Sequence, residues 1–147
     1  MTQQLSGING ILQYLPTILK ETQTNVQVGT SIVNFVNFIT VFFTGFFLKK
    51  YGRRTLMIVF PACIVVVHVV IAACLWTKPL ATDYATNYIA LLMFVLFVAF
   101  FEFSMGPILW LYNAEILNNK AVTVAVAVNW IGVLIISYFT PTLLNKL

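Results

Sequence analysis

The amino-acid sequence predicts an all-α, multi-pass membrane protein on three observations: the share of apolar side chains, their grouping into long segments, and the short polar connections between those segments. Of 147 residues, 61% are hydrophobic and 8% are charged, against about 25% charged in ordinary soluble domains. A water-soluble fold of this length has too little interior for so much apolar side chain. Lipid is the solvent that fits. Barrel strands would alternate polar and apolar residues, and these segments do not, so helices are the expected spanning form.

Five apolar segments follow one another. The first covers about residues 3–19 and is the most polar. The second, about 25–48, runs through Ile32, Val33, Phe35, Phe38, Val41 and Phe46. The third, about 55–77, contains the near-continuous run from Ile64 to Leu75, and the fourth, about 86–113, holds Pro107 inside it. The fifth covers about 121–141. Each can cross about 30 Å of hydrocarbon, although the first is short for the task. The connection at 49–54 carries Lys49, Lys50, Arg53 and Arg54, which places it on the cytoplasmic side. By alternation 115–120 lies inside, and 20–25 and 78–86 lie outside. The bias agrees: Lys120 adds a fifth cation to the inside loops, Lys20 and Lys78 are the two in the outside loops, and Lys146 follows the last segment. An odd number of spans, with little flank before the first or after the last, leads to the expectation that the chain is a piece cut from a longer carrier. No leader peptide is visible at Met1.

The composition also excludes function classes. A net charge of +4 would suit a nucleic-acid partner, but half of the eight basic residues sit in the single 49–54 run, where they orient helices instead. No aromatic and basic residues interleave in the manner that reads bases. Cys63 and Cys74 lie on one predicted helix about 16 Å apart, too far to bridge. No metal-ligand cluster, nucleophile with its base, or phosphate-cradling glycine loop is present, so neither an enzyme, a bound metal nor a cofactor is expected.

Polar side chains within spans are costly and tend to have a purpose. At about 100° per residue, Gln3, Ser6, Asn9 and Gln13 fall on one arc of the first segment, with Gln4 outside it. Thr30, Asn34, Asn37, Thr40 and Thr44 share an arc of the second. Such strips serve either as helix–helix contacts or as a ligand site, and both readings stand. Threonine hydroxyls bond to their own helix; Asn34 and Asn37 need a partner across the bundle, water or a ligand. Two strips facing one cavity would suit a neutral polyhydroxylated solute, since amides and hydroxyls donate and accept without net charge. In the fourth segment Pro107 should break the helix, and the freed backbone must line protein or water. Broken helices near the midplane mark carrier binding sites. Trp110, one turn beyond, either stacks on a sugar face or packs. Glu102, the carboxylate within a span, either bonds a solute hydroxyl, takes a proton, or partners a nearby donor. His68 is expected to be structural. Asn129 and Trp130, adjacent on a helix, should face different surroundings.

These residues coincide with a known pattern. Gln3-Gln4-Leu5-Ser6-Gly7-Ile8-Asn9 resembles the QQLSGIN stretch of the sugar porter family, a branch of the major facilitator superfamily, where it lies in the seventh of twelve helices. Gly52-Arg53-Arg54-Thr55 resembles the family's loop between helices eight and nine. Phe101-Glu102, Gly106-Pro107, Trp110 and Ala114-Glu115 resemble helix ten and its cytoplasmic end, and Asn129-Trp130 the pair in helix eleven. The resemblance implies five helices of a C-terminal half-bundle that carries a hexose-like sugar by alternating access. It implies sugar contacts at Gln3, Gln4, Asn9, Asn34, Glu102, Trp110, Asn129 and Trp130. It further implies a gate at Tyr14, a hinge at Gly106 and Pro107, and a cytoplasmic loop built on Gly52, Arg53, Arg54 and Glu115. The implied partners are a sugar, the lipid of a plasma or internal membrane, an N-terminal half-carrier and, in symporters, a proton. The alternative is a non-transporting fragment that acts only by pairing with another half-carrier. Several positions depart from the pattern: Gln13 replaces the first gate tyrosine, Lys49 an acidic residue, Ser104-Met105 the first Gly-Pro of a GPGP run, Leu109 a proline and Val133 an asparagine. The loop after Glu115 is short and lacks the family arginine, with Lys120 as the nearest cation.

Overall fold

A computed structural model describes residues 2–21, 25–76 and 84–144. Seven helices appear among them: α1 (Thr2–Leu5), α2 (Ile8–Glu21), α3 (Val26–Tyr51), α4 (Arg53–Trp76), α5 (Tyr84–Glu102), α6 (Pro107–Ile116) and α7 (Asn119–Leu144). No described residue is in a strand. The chain divides into two compact units, one of Met1–Tyr14 with Leu109–Leu147, the other of Leu15–Ile108.

In the Leu15–Ile108 unit, α5 packs against both α3 and α4. Its sequence explains why. Ala90, Phe94, Phe97, Val98 and Phe101 recur at helical spacing and are all nearly inaccessible. Leu56, Ile64, Val67 and Ile71 of α4 and Val33 of α3 are buried in the same unit. Phe60 closes the packing near the end of α5, with ring centroids 5.7 Å from Phe100 and 5.3 Å from Phe103. Phe47 of α3 meets Phe103 at 4.9 Å. The His68 ring stands edge-on to Phe97 at 4.9 Å, and its Nδ1–H donates to Ile64 O at 2.9 Å, the structural role expected of it. Cys63 and Cys74 form no disulfide.

The outer surfaces are apolar as well: Phe35, Phe38, Phe42 and Phe46 of α3 are all exposed. Water would not tolerate such a face. Four helical stretches among the described residues are long and apolar enough to cross a membrane: Val26–Tyr51, Arg53–Cys74, Tyr88–Ile116 and Asn119–Thr142. They coincide with the second to fifth predicted segments. The first segment is different. It divides into α1 and α2 around Ser6 and Gly7, and the 14 residues of α2 reach only about 21 Å.

Helix ends follow from local chemistry. Asn25 caps α3, its Oδ1 accepting from Val28 N at 3.4 Å. Asn118 caps α7, accepting from Ala121 N at 2.9 Å. The expected loop at 49–54 is a single residue. Helix α3 continues through Tyr51, and Gly52 turns the chain with φ 74° and ψ 160°, a conformation open essentially only to glycine. Lys49 and Lys50 therefore occupy the last turn of α3, the end that favours cations. Most of the connections at 20–25 and 78–86, with Lys78, and the C-terminal Lys146 lie outside the described residues.

Close packing of α2 on α3 depends on Gly29. A Cβ there would sit 2.7 Å from Leu19 Cδ1, and Leu19 is 1% exposed, so its side chain would have to shift within packed surroundings. Gly29→Ala should therefore destabilise the protein by about 1–3 kcal/mol, read as a lower unfolding midpoint in detergent. Gly45→Ala, at a helical position facing open space, should hold or raise that midpoint.

Candidate functional site

The first polar cluster lies in the unit that joins the N-terminal residues to α7. Gly7, with φ 79°, interrupts the helix. Its N–H donates to Gln4 O at 3.0 Å, Ser6 Oγ donates to Gln3 O at 2.6 Å, and Ile11 N–H to Gly7 O at 2.9 Å restarts the helix. This break corrects the arc drawn across the segment, because rotation at 100° per residue does not carry through it. Gln13 is exposed, whereas Gln4, placed outside the arc, is 3% exposed and central. Asn9 Nδ2 donates to Gln4 Oε1, and Gln4 Nε2 donates to Asn129 Oδ1 at 2.9 Å. Gln3 beside them is 7% exposed. At Gly10 the missing side chain admits α7, since a Cβ would stand 3.1 Å from Thr140 Oγ1. The result is a chain of three uncharged amides, with Asn9 Oδ1 as an acceptor at one end and Asn129 Nδ2 as a donor at the other.

The second cluster lies in the Leu15–Ile108 unit, at the predicted break. Helix α5 ends at Glu102 and α6 begins at Pro107. Pro16, Pro61 and Pro141 lie inside helices that continue through them, so proline alone does not make the break. The backbone is rewired around it. Ser104 N–H and Gly106 N–H both donate to Phe101 O, at 3.1 and 3.0 Å. Ser104 Oγ donates to Phe100 O at 2.8 Å. From α3, Asn37 Nδ2 donates to Glu102 Oε1 at 3.3 Å, and Thr44 Oγ1 donates to Glu102 O at 2.9 Å. Gly106 leaves room for the carboxylate, as a Cβ would lie 2.6 Å from Glu102 Oε2.

The predicted residues thus have distinct placements. Gln4, Asn9 and Asn129 are bonded together, and Glu102, Gly106 and Pro107 meet at the break. Trp110 is half-buried on α6. Asn34 is exposed on α3, and Trp130, 62% exposed, faces away from the surroundings of its neighbour Asn129. The side chain of Tyr14 is outside those described. Gly52, Arg53 and Arg54 form the α3–α4 turn, and Glu115 is exposed near the end of α6. A groove on α3 lined by Gln27, Val28, Ser31, Ile32 and Phe35 includes none of the predicted residues. Asn37 and Thr44 were not among the predicted site residues. Their signal is spacing: Asn37, Thr40 and Thr44 lie at i, i+3 and i+7, one face of a helix, with Thr40 and Thr44 buried.

Spanning helices interrupted where amides and a carboxylate sit are a feature shared by many membrane transporter folds. The whole chain, residues 1–147, matches the family model described as sugar (and other) transporter. The chain belongs to that family, the sugar porters of the major facilitator superfamily. The facilitated trehalose transporter Tret1 of Apis mellifera ligustica is 33% identical over 134 residues, which cover 87% of this chain and 27% of that protein. Those of Aedes aegypti and Culex quinquefasciatus are 29% and 32% identical over 99% and 87% of this chain, and 19% and 26% of their own length. The chain therefore spans about a quarter or less of the length of these relatives.

Gln4→Leu would strip Asn9 Nδ2 and Asn129 Oδ1 of their partner at once. A cost of about 1–3 kcal/mol is expected, measured as a lower unfolding midpoint in detergent than that of wild type.

Proposed function

We propose that this chain forms part of a carrier that moves a neutral sugar across a membrane by alternating access. The observation that carries this reading is the Asn9–Gln4–Asn129 amide chain. In the absence of solute each amide is bonded to another, so none is stranded in an apolar surrounding. Sugar hydroxyls both donate and accept, and can replace these partners one for one. An ion would find no compensating charge there. Glu102 accepts from Asn37 and has acceptor capacity left for a hydroxyl, and Trp110 offers a ring face. Gln3, Asn34 and Trp130 complete the proposed contacts, Tyr14 the gate, and Gly106–Pro107 the hinge. Rocking against an N-terminal half would expose the site to either side in turn.

The motif resemblance points to a hexose, and the relatives' names point to trehalose, a disaccharide of two glucose units. The same hydroxyl pattern on a glucosyl ring would satisfy the amides in both. Trehalose is the substrate this reading favours, with glucose as a weaker competitor at the same site. Proton coupling would require a titrating carboxylate, and Glu102 is the candidate on this chain.

The test is uptake of labelled trehalose into proteoliposomes containing the full-length protein that bears this sequence. Gln4→Ala, Asn129→Ala and Trp110→Ala should each lower kcat/KM about three- to tenfold, the value of a hydrogen bond or a comparable contact. Phe38→Ala, on the exposed face of α3, should leave it unchanged. Wild-type protein that takes up neither trehalose nor glucose would overturn the proposal. Uptake that rises with an imposed proton gradient in wild type and not in Glu102→Gln identifies symport.

A further inference from the structure

The break between α5 and α6 strands backbone carbonyls, and three of them are satisfied in different ways. In an uninterrupted helix the carbonyls of Phe100, Phe101 and Glu102 would accept from the N–H groups of Ser104, Met105 and Gly106. Phe100 O instead accepts the Ser104 hydroxyl at 2.8 Å. Phe101 O accepts two N–H groups, from Ser104 at 3.1 Å and Gly106 at 3.0 Å. Both solutions are local. Glu102 O has lost its helical donor, because the Gly106 N–H points to Phe101 O, and it accepts instead from Thr44 Oγ1 of α3 at 2.9 Å. Thr44 is 3% exposed and Ser104 is fully buried, so water is not at hand to take over. A carbonyl left without a donor in such surroundings is costly.

We propose that Thr44 is the positioning residue of this break: its hydroxyl stands in for the Gly106 N–H at the Glu102 carbonyl and so ties the hinge to α3. Asn37, two turns earlier on the same face of α3, holds the carboxylate of the same residue. Glu102 is thereby gripped at main chain and side chain from one neighbouring helix. The grip is also releasable. Thr44 carries one hydroxyl proton and has a second acceptor, Thr40 O, at 2.8 Å. Back-bonding of this kind is ordinary for a threonine in a membrane helix. Thr40 O, within α3, already has its own helical donor, whereas Glu102 O does not, so the Thr44 hydroxyl directs its proton at Glu102 O when the break is in the geometry described. When the hinge moves, rotation of the proton to Thr40 O leaves the hydroxyl satisfied.

The experiment uses full-length carrier in lipid nanodiscs and compares Thr44→Val, which keeps shape and loses the donor, with Thr44→Ser, which keeps the donor. Amide hydrogen exchange is read over residues 99–108. Thr44→Val should speed exchange at Phe103 to Gly106 about three- to tenfold, and Thr44→Ser should match wild type. Thr44→Ala serves in the same comparison should the valine variant fold poorly. Unchanged exchange in the donor-less variant, or equal acceleration in the serine variant, would overturn the proposal. A transport arm rests on the carrier reading above: kcat for sugar uptake should shift in Thr44→Val with KM held, and recover in Thr44→Ser. Because exchange needs no substrate, a wild-type protein that moves no sugar would defeat the carrier reading while the exchange result still decides the role of Thr44.

Discussion

Inside a bilayer no water is available to a peptide group that lacks a partner, and this constraint governs the rest of the structure. Helices α3, α4 and α7 meet it along almost their whole length. The chain departs from regular helix at only a few described places within its apolar segments, and at each several of the lost bonds are replaced by identifiable groups. At Ser6–Gly7 the replacement is the Ser6 hydroxyl on Gln3 O and the Gly7 N–H on Gln4 O. At Phe103–Gly106 it is the Ser104 hydroxyl, a doubly used Phe101 carbonyl and a threonine from another helix. Pro16, Pro61 and Pro141 show the converse: a proline without such rewiring leaves its helix continuous.

Both irregular places carry polar side chains bonded across the fold, for a physical reason. A helix that stays regular presents side chains only at fixed angles. A break frees the angle and allows a buried group to be aimed. Gln4, on the short helix before Gly7, bridges Asn9 and Asn129. Glu102, the last residue of α5, turns back over Gly106, where the lack of a Cβ leaves space for its carboxylate. Neither placement is open to a residue in the middle of a regular span.

The same reasoning explains which parts were legible in the sequence. Four spanning helices follow from hydropathy, a local property; Pro107 marks where a break is expected, but Pro16, Pro61 and Pro141 lie in continuous helices, so the break itself also needs the rewired bonds around it. Asn129 and Trp130 diverge as adjacent helical residues must. The first segment differs from its expected arc because a single 100° rotation does not hold across Gly7, where a glycine at positive φ resets the phase. That rotation puts Gln13 on the polar face and leaves Gln4 off it. Asn37 was legible as needing a partner, but sequence alone could not choose among a side chain, water and a ligand; the partner is Glu102, 65 residues away. Thr44 was harder still. Its acceptor across the helices, Glu102 O, is a main-chain carbonyl that is an open site only because α5 ends there.

The departures from the sugar-porter pattern at this break now have a physical sense. Where that pattern has two Gly-Pro pairs, this chain keeps only the second. The glycine retained is Gly106, the one whose side chain would collide with Glu102. The position of the lost glycine is Ser104, and its hydroxyl bonds Phe100 O, the carbonyl that its own N–H has abandoned for Phe101 O. A serine therefore supplies a bond that glycine would leave to another group, and the break persists with one proline fewer. With less distortion imposed by proline, the geometry of the turn depends more on what grips it from outside. Of the groups that do so among the described residues, the Thr44 hydroxyl reaches the backbone itself, so the loss of that one oxygen atom would remove a bond to the main chain of the turn.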